Sequence, residues 1–321
     1  MPSRLGPVII IATGLLSAIP TVRAESWPSH PIRAIVPVSA GSAADIVARV
    51  VFDQLSQQLG QPIVVENRPG ASSTIGARVV AHSDPDGYTL LAISSAYTIA
   101  PAIVPDLGYD PVKDFVAVAS LGSLPNVLVI SPSKNIHTLQ ELVTASKTQP
   151  ITFGSTGAGS PIRLAIERLR AAAKFDAKAI PFKGAPEALV EVMAGRIDVY
   201  YSAVLPALPL IRSGKLVPLA VSSRDRAISL PEVPTSLEAG YPNSDYNFWV
   251  GVFAPAQTPT AVVDKLNGEI LKALATPEVR AKLANLGVQP MPMGTTQFNA
   301  YVKAEIEKDA ALVKATGLSA E

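Results

Sequence analysis

Two glycine- and serine-rich loops, PVSAGSAAD (Pro37 to Asp45) and GSTGAGS (Gly154 to Ser160), each sit between a β-branched run and a helical pattern, about 115 residues apart. A loop that ends a strand and opens a helix belongs to a β-α unit, so the pair constrains the chain to an α/β fold. The chemistry of the loops is equally narrow. Backbone N–H groups exposed at a helix N-terminus, with little side-chain bulk in the way, attract a carboxylate or phosphate through hydrogen bonds and the helix dipole. Two such loops imply two halves of one cleft.

The rest of the chain repeats the alternation. Ile32 to Pro37 reads as a first strand, and Val47, Val51, Leu55 and Leu59 form an i, i+4 helix face stopped by Gly60. Strand Ile63 to Glu66, helix Thr74 to His82 and strand Tyr88 to Ile93 complete a β-α-β-α-β opening. A second series follows from Val127, with helix Thr138 to Lys147, strand Ile151 to Phe153, helix Pro161 to Ala173, strand Lys178 to Pro181, helix Ala185 to Met193 and strand Ile197 to Tyr201. A short helix near Leu205 to Arg212 and strand Leu216 to Val221 end it, before an extended return over Asp245 to Pro255 and three helices, Pro259 to Ala275, Pro277 to Leu286 and Thr295 to Ala315. Chain crossings near Gly122 to Val127 and Phe248 to Ala254 give two lobes, residues 25–123 with 252–321 and residues 124–251, each a mainly parallel sheet flanked by helices and joined by a two-strand hinge.

Arg4, an apolar run from Pro7 to Ile19, Pro20 and the sequence Val22-Arg23-Ala24 have the form of an export signal over residues 1–24, cleaved after Ala24. The apolar run falls short of the roughly 20 residues a spanning helix requires, so no stable membrane anchor is expected. The chain has no cysteine, which excludes disulfides, thiolate zinc sites and cysteine nucleophiles. Removing residues 1–24 deletes Arg4 and Arg23 and no acid, turning a net charge of +1 into −1. That balance argues against a nucleic-acid partner, which would call for a basic stripe.

Catalytic readings fare poorly. GSTGAGS is not G-x-S-x-G, and His30, His82 and His137 read as surface residues, so no nucleophile has a base in reach. No His-x-x-x-His or clustered carboxylate motif suggests a metal, and no P-loop or complete G-x-G-x-x-G suggests a nucleotide. No cofactor is expected, and the chain is read as a non-enzyme.

Ordered blocks along nearly the whole exported part carry a family resemblance: PIRAIVPVSAGSAADIVAR, GQPIVVENRPGASSTIGA, DPDGYTLL, GSTGAGS, IPFKGAPEAL, GRIDV, SGKLVPLAVSS, LPEVPTSLEAG and WVGVFAPAQTPTAVVDKLN. The chain resembles the solute-binding receptors of tripartite tricarboxylate transporters, the Bug (TctC-like) family. The resemblance implies a type II-like periplasmic binding protein of two lobes that captures a small carboxylate and delivers it to integral membrane transporter subunits, or alternatively to a membrane sensor; the sequence itself gives no sign of an oligomer, and a monomer is expected. It also implies a pocket of main-chain amides, hydroxyls and bridging water.

Carried over position by position, the resemblance makes Val38 a lining residue where relatives often have an aromatic ring. Ser39, Ala40, Gly41 and Ser42 become the first anion-holding turn, with Gly41-Ser42 in place of two glycines. Asp45 matches an acid at the start of the helix that caps N–H groups or positions water and a ligand's amino group. Ser155, Thr156, Gly157, Ala158, Gly159 and Ser160 match the second turn, and Ser94 and Ser95 fall at the mouth of the cleft. Lys183 matches a Lys-Gly pair near the pocket, although a lysine at a strand end is more often solvated. Ser202, followed by Ala203, stands where many relatives carry an acid and an amide. That neutral pair favours a plain mono- or dicarboxylate, aliphatic or aromatic, over an amino acid.

Overall fold

The computed structural model describes residues 27–155, 160–182 and 184–318. The chain runs β1 (Ile32–Val36), α1 (Ala43–Leu59), β2 (Ile63–Asn67), α2 (Thr74–Ala81), β3 (Thr89–Ser94), α3 (Ala96–Ile103) and β4 (Phe115–Leu124). It continues through β5 (Asn126–Ile130), α4 (Leu139–Ala145), β6 (Ile151–Ser155), α5 (Pro161–Ala173), β7 (Ala177–Pro181), α6 (Ala185–Met193), β8 (Val199–Ala203), α7 (Val204–Arg212) and β9 (Val217–Val221). It returns through β10 (Phe248–Pro255) to α8 (Thr260–Ala275), α9 (Pro277–Asn285) and α10 (Thr295–Thr316).

The strands form two five-stranded sheets, in the orders β2-β1-β3-β10-β4 and β7-β6-β8-β5-β9. In each, four strands run one way and the strand in fourth place, β10 or β5, runs against them. The sheets therefore share one plan. The chain passes from the first to the second at Pro125, between β4 and β5. The return lies before Phe248, because β10 pairs with β4 from Phe248↔Leu124 onward. Residues 248–251, assigned above to the second lobe, are thus strand residues of the first sheet.

Each sheet is covered on both faces. Val47, Val51 and Leu55 of α1 pack with Val263, Leu266 and Ile270 of α8 on one face of the first sheet, and Gly60 closes α1 in the left-handed conformation that spares a C-cap glycine the Cβ clash. The opposite face is aromatic, with Trp249 and Phe298 edge-on at 5.4 Å. Gly251 makes that approach possible, since a Cβ there would collide with the Phe298 ring. On the second sheet, Leu128, Phe153 and Tyr201 share a core with Leu164 and Leu169 of α5, with Ile99 and Ile103 of α3, and with Leu312 of α10. Two helices that begin against the first sheet thus finish the core of the second.

Two elements were not anticipated, α3 and β4. Pro101 inside α3 reads as a helix breaker, and β4 dilutes its β-branched residues with Ala, Ser and Gly. The strand expected to end at Tyr201 runs on to Ala203, so Ser202 is a strand residue rather than part of a following loop.

Candidate anion-binding site

Strand register defines the geometry of the site. In the first sheet, the C-terminal ends of β1 and β3 lie at the edge where β4 ends and β10 begins, as the pairs Ser94↔Val250 and Leu124↔Phe248 require. In the second, the C-terminal ends of β6 and β8 lie at the edge where β5 begins, through Asn126↔Ala203. Both edges adjoin the crossing at Pro125. The crevice beyond the carboxyl ends of parallel strands is where open α/β sheets bind ligands, and here both sheets turn that end toward the junction.

The first turn occupies this end of β1. Ser39, Ala40 and Gly41 are exposed, and Val38 is half-buried against the core of the first sheet. Ser42 N–H donates to Ser39 O at 3.2 Å, and Gly41 takes φ +80°, a conformation that favours glycine. Ser42 is the N-cap of α1 by backbone geometry, yet its hydroxyl caps nothing and is buried without a partner. The leading amides of α1 have no acceptor within the helix. Asp45 is fully buried, and its Oδ2 accepts the Gly41 amide at 2.8 Å. Arg49 Nε lies 3.0 Å from both of its oxygens, and Asn67 Nδ2 donates to Oδ1 at 2.9 Å. Burial works to raise the Asp45 carboxyl, but the hydrogen bonds from Arg49, Gly41 and Asn67 outweigh it and hold the group below its ordinary value. Both Asp45 oxygens are thus engaged within the chain.

Around the second turn, Thr156, Gly157, Ala158, Gly159 and Lys183 lie outside the described residues. Their flanks are clear. Ser155 ends β6 and its carbonyl accepts Phe182 N–H at 2.8 Å. Ser160 caps α5, its hydroxyl accepting Arg163 N–H at 3.2 Å, with Pro161 at the first helical position. Ser94 and Ser95 are buried at the end of β3; Ser94 Oγ accepts weakly from Ala96 N–H at 3.4 Å, and Ser95 Oγ lies 2.8 Å from Tyr246 Oη. Ser95 is thus engaged with the returning chain. Ser202 is fully buried on the face of β8 that carries Tyr200 and turns its hydroxyl to the carbonyl of Ala203 at 3.0 Å.

Behind the second turn, α5 is tied across the junction. Arg168 Nη2 donates to Asp309 Oδ1 at 2.7 Å and to Glu305 Oε2 at 3.0 Å, while Nη1 donates to Asp245 O at 2.8 Å. Thr98 Oγ1 adds a hydrogen bond to Asp309 Oδ2 at 2.6 Å, and the guanidinium lies 5.1 Å from the Tyr246 ring centre. Burial pushes the Asp309 carboxyl above its ordinary value despite Arg168 and Thr98. Burial also works against the charge on Arg168, but Asp309 and Glu305 overcome it and hold the guanidinium firmly protonated.

Sequence reasoning missed Arg49, Asn67, Arg168 and Tyr246. Arg49 could have been found from its i, i+4 spacing to Asp45, and Asn67 from being a polar residue at the end of a strand beside β1. Beyond Asn67, Ala71, Ser72 and Ser73 all have positive φ, three consecutive strained positions ahead of α2 that no sequence signal announced.

Two like-planned α/β sheets, joined at a double crossing toward which the carboxyl ends of their parallel strands turn, define a two-lobed binding protein. The family model described as the tripartite tricarboxylate transporter family receptor matches residues 47–318, and the chain belongs to that family. It is similar to periplasmic binding protein BugD, with 29% identity and a TM-score of 0.73 over 92% of this chain and 100% of that one. MatC of Rhodopseudomonas palustris, solved with bound malate, gives 32% identity and a TM-score of 0.73 over 89% and 100%. Rpa4515 of R. palustris, solved with adipate, gives 29% identity and a TM-score of 0.75 over 91% and 99%. The protein is a substrate-binding receptor of the periplasmic type and not an enzyme.

Proposed function

We propose that the chain binds a small mono- or dicarboxylate in the cleft between its two sheets and delivers it to the integral membrane subunits of a tripartite transporter. One observation carries the reading: β1 and β6, the strands that lead into the two Gly/Ser turns, end at the sheet edges that adjoin the crossing, each followed by a helix that begins there. The leading amides of α1 and the hydroxyl of Ser42 serve one side, and residues 155–160 serve the other. Neutral donors suit this task, because they bind an anion without leaving a buried cation when the site empties. Adipate and malate, held by two of the relatives, are both dicarboxylates.

The lobes are residues 25–123 with the C-terminal stretch and residues from 124 to the return before Phe248. Residues 1–24 act as the export signal, which puts the mature receptor in the periplasm as a monomer. No helix among the described residues is long and apolar enough to cross a membrane. A ligand of about ten heavy atoms at roughly 0.8 kcal/mol per atom binds with about 8 kcal/mol, or micromolar affinity.

A thermal-shift screen of residues 25–321 against mono- and dicarboxylates, aromatic acids, amino acids and the matching amides tests the reading. A ligand at about 100 times its Kd adds roughly 2.7 kcal/mol and raises Tm by a few degrees. A rise with an acid and none with its amide is the expected result. Equal rises with acid and amide would remove the carboxylate from the account.

A further inference from the structure

Asn67 does more than touch Asp45. Its Nδ2 also donates to the carbonyl of Val38 at 3.0 Å, and its Oδ1 accepts from Arg49 Nη2 at 2.9 Å. Three elements, the end of β2, the first turns of α1 and the turn from Val38 to Gly41, are thereby closed into one ring of hydrogen bonds around a single buried carboxylate. Asn67 is only half-buried and Arg49 is 43% exposed on its side chain, so the ring does not serve to fill a core.

We propose that Asn67 and Arg49 are positioning residues for anion binding, holding Asp45 so that it occupies the Gly41 amide and leaves the amides of Ala43 and Ala44 to the ligand. The inference rests on the carboxylate-receptor reading. With Gly41 N–H already bonded, the turn cannot rotate to offer that donor, and the N-terminus of α1 becomes the donor set by default. With Arg49 against Asp45, a ligand carboxylate approaching the turn meets a neutral pair rather than a lone negative charge. With both Asp45 oxygens engaged, a ligand ammonium finds no acceptor here, which sharpens the preference against amino acids. Neither Asn67 nor Arg49 needs to touch the ligand.

Protein labelled with 15N at glycine and alanine provides the test, with adipate and malate as probes and 2-aminoadipate and aspartate as their amino-bearing counterparts. The Gly41 amide is assigned from its loss in Gly41→Ala. In the unsubstituted protein, ligand is expected to shift alanine amides while the Gly41 amide stays in place; Asn67→Leu is expected to shift the Gly41 amide without any ligand and to weaken binding about tenfold. Arg49→Met is expected to weaken binding at least as much, with partial recovery in Arg49→Lys. Unchanged affinity in both Asn67→Leu and Arg49→Met, or a Gly41 amide that moves with ligand as far as any alanine amide, would overturn the inference and leave the receptor reading standing. Absence of binding by the unsubstituted protein to any carboxylate would overturn both.

Discussion

The first turn is braced from close by, and the helix behind the second from far away. Asp45, Arg49 and Asn67 all lie within 22 residues of one another along the chain, whereas Arg168 reaches partners 137 and 141 residues further on. The near brace is half-exposed and works through hydrogen bonds to the backbone of one loop. The far brace is buried and joins α5 to α3 and α10, so it sets where α5 stands relative to the first sheet. One device shapes a loop; the other fixes a helix against distant elements.

The largest effect that could break this contrast is on the far brace. Arg168→Met should cost about 3–5 kcal/mol, because it leaves Asp309 buried without its cation and Glu305 with Lys308 alone; urea unfolding measures it, and combining the change with Asp309→Leu and Glu305→Met should recover most of the loss. An Arg168→Met midpoint equal to wild type would mean that the junction is held by apolar packing alone. A smaller effect separates the two helix caps. Ser160→Ala should cost about 1 kcal/mol through its lost cap, while Ser42→Ala, whose hydroxyl has no partner, should be close to neutral in the same unfolding assay.

The smallest effect is one of sign with pH. Asp45 sits below its ordinary value of 3.8, so its contribution is complete above that value and is lost as pH falls through the native pKa. Asp309 sits above 3.8, so the native state takes up its proton first, and its contribution grows as pH falls through the native pKa and levels off below 3.8. Stability of wild type relative to Asp45→Asn should therefore shrink on acidification, and that relative to Asp309→Asn should grow. Parallel slopes would erase the distinction between the two braces.

Much of this was legible in local pattern. Helix α5 and helix α6 run over the residues their periodicity and capping predict, Pro161–Ala173 and Ala185–Met193, and Gly60 stops α1 as expected. The placement of the two Gly/Ser stretches was also legible, since each follows a strand and precedes a helix. What escaped depends on contacts between distant parts of the chain. Helix α3 tolerates Pro101 because tertiary packing of Tyr97, Ile99 and Ile103 outweighs a local penalty. Ser202 looked available because its strand was expected to stop at Tyr201, and pairing with Val127 of β5 puts it inside the sheet. The Arg168 cluster had no local sign at all, as its carboxylates belong to the final helix.

That final helix has a consequence for how the chain comes to be folded. Leu312 of α10, with Leu318 just beyond it, completes a core whose other members begin at Ile99 and Leu128. The second sheet thus stays unsealed until α10 has been made, and its contacts span a long stretch of chain, a topology that folds slowly. For a receptor of a periplasmic family, such a delay suits a chain that must cross a membrane before it closes.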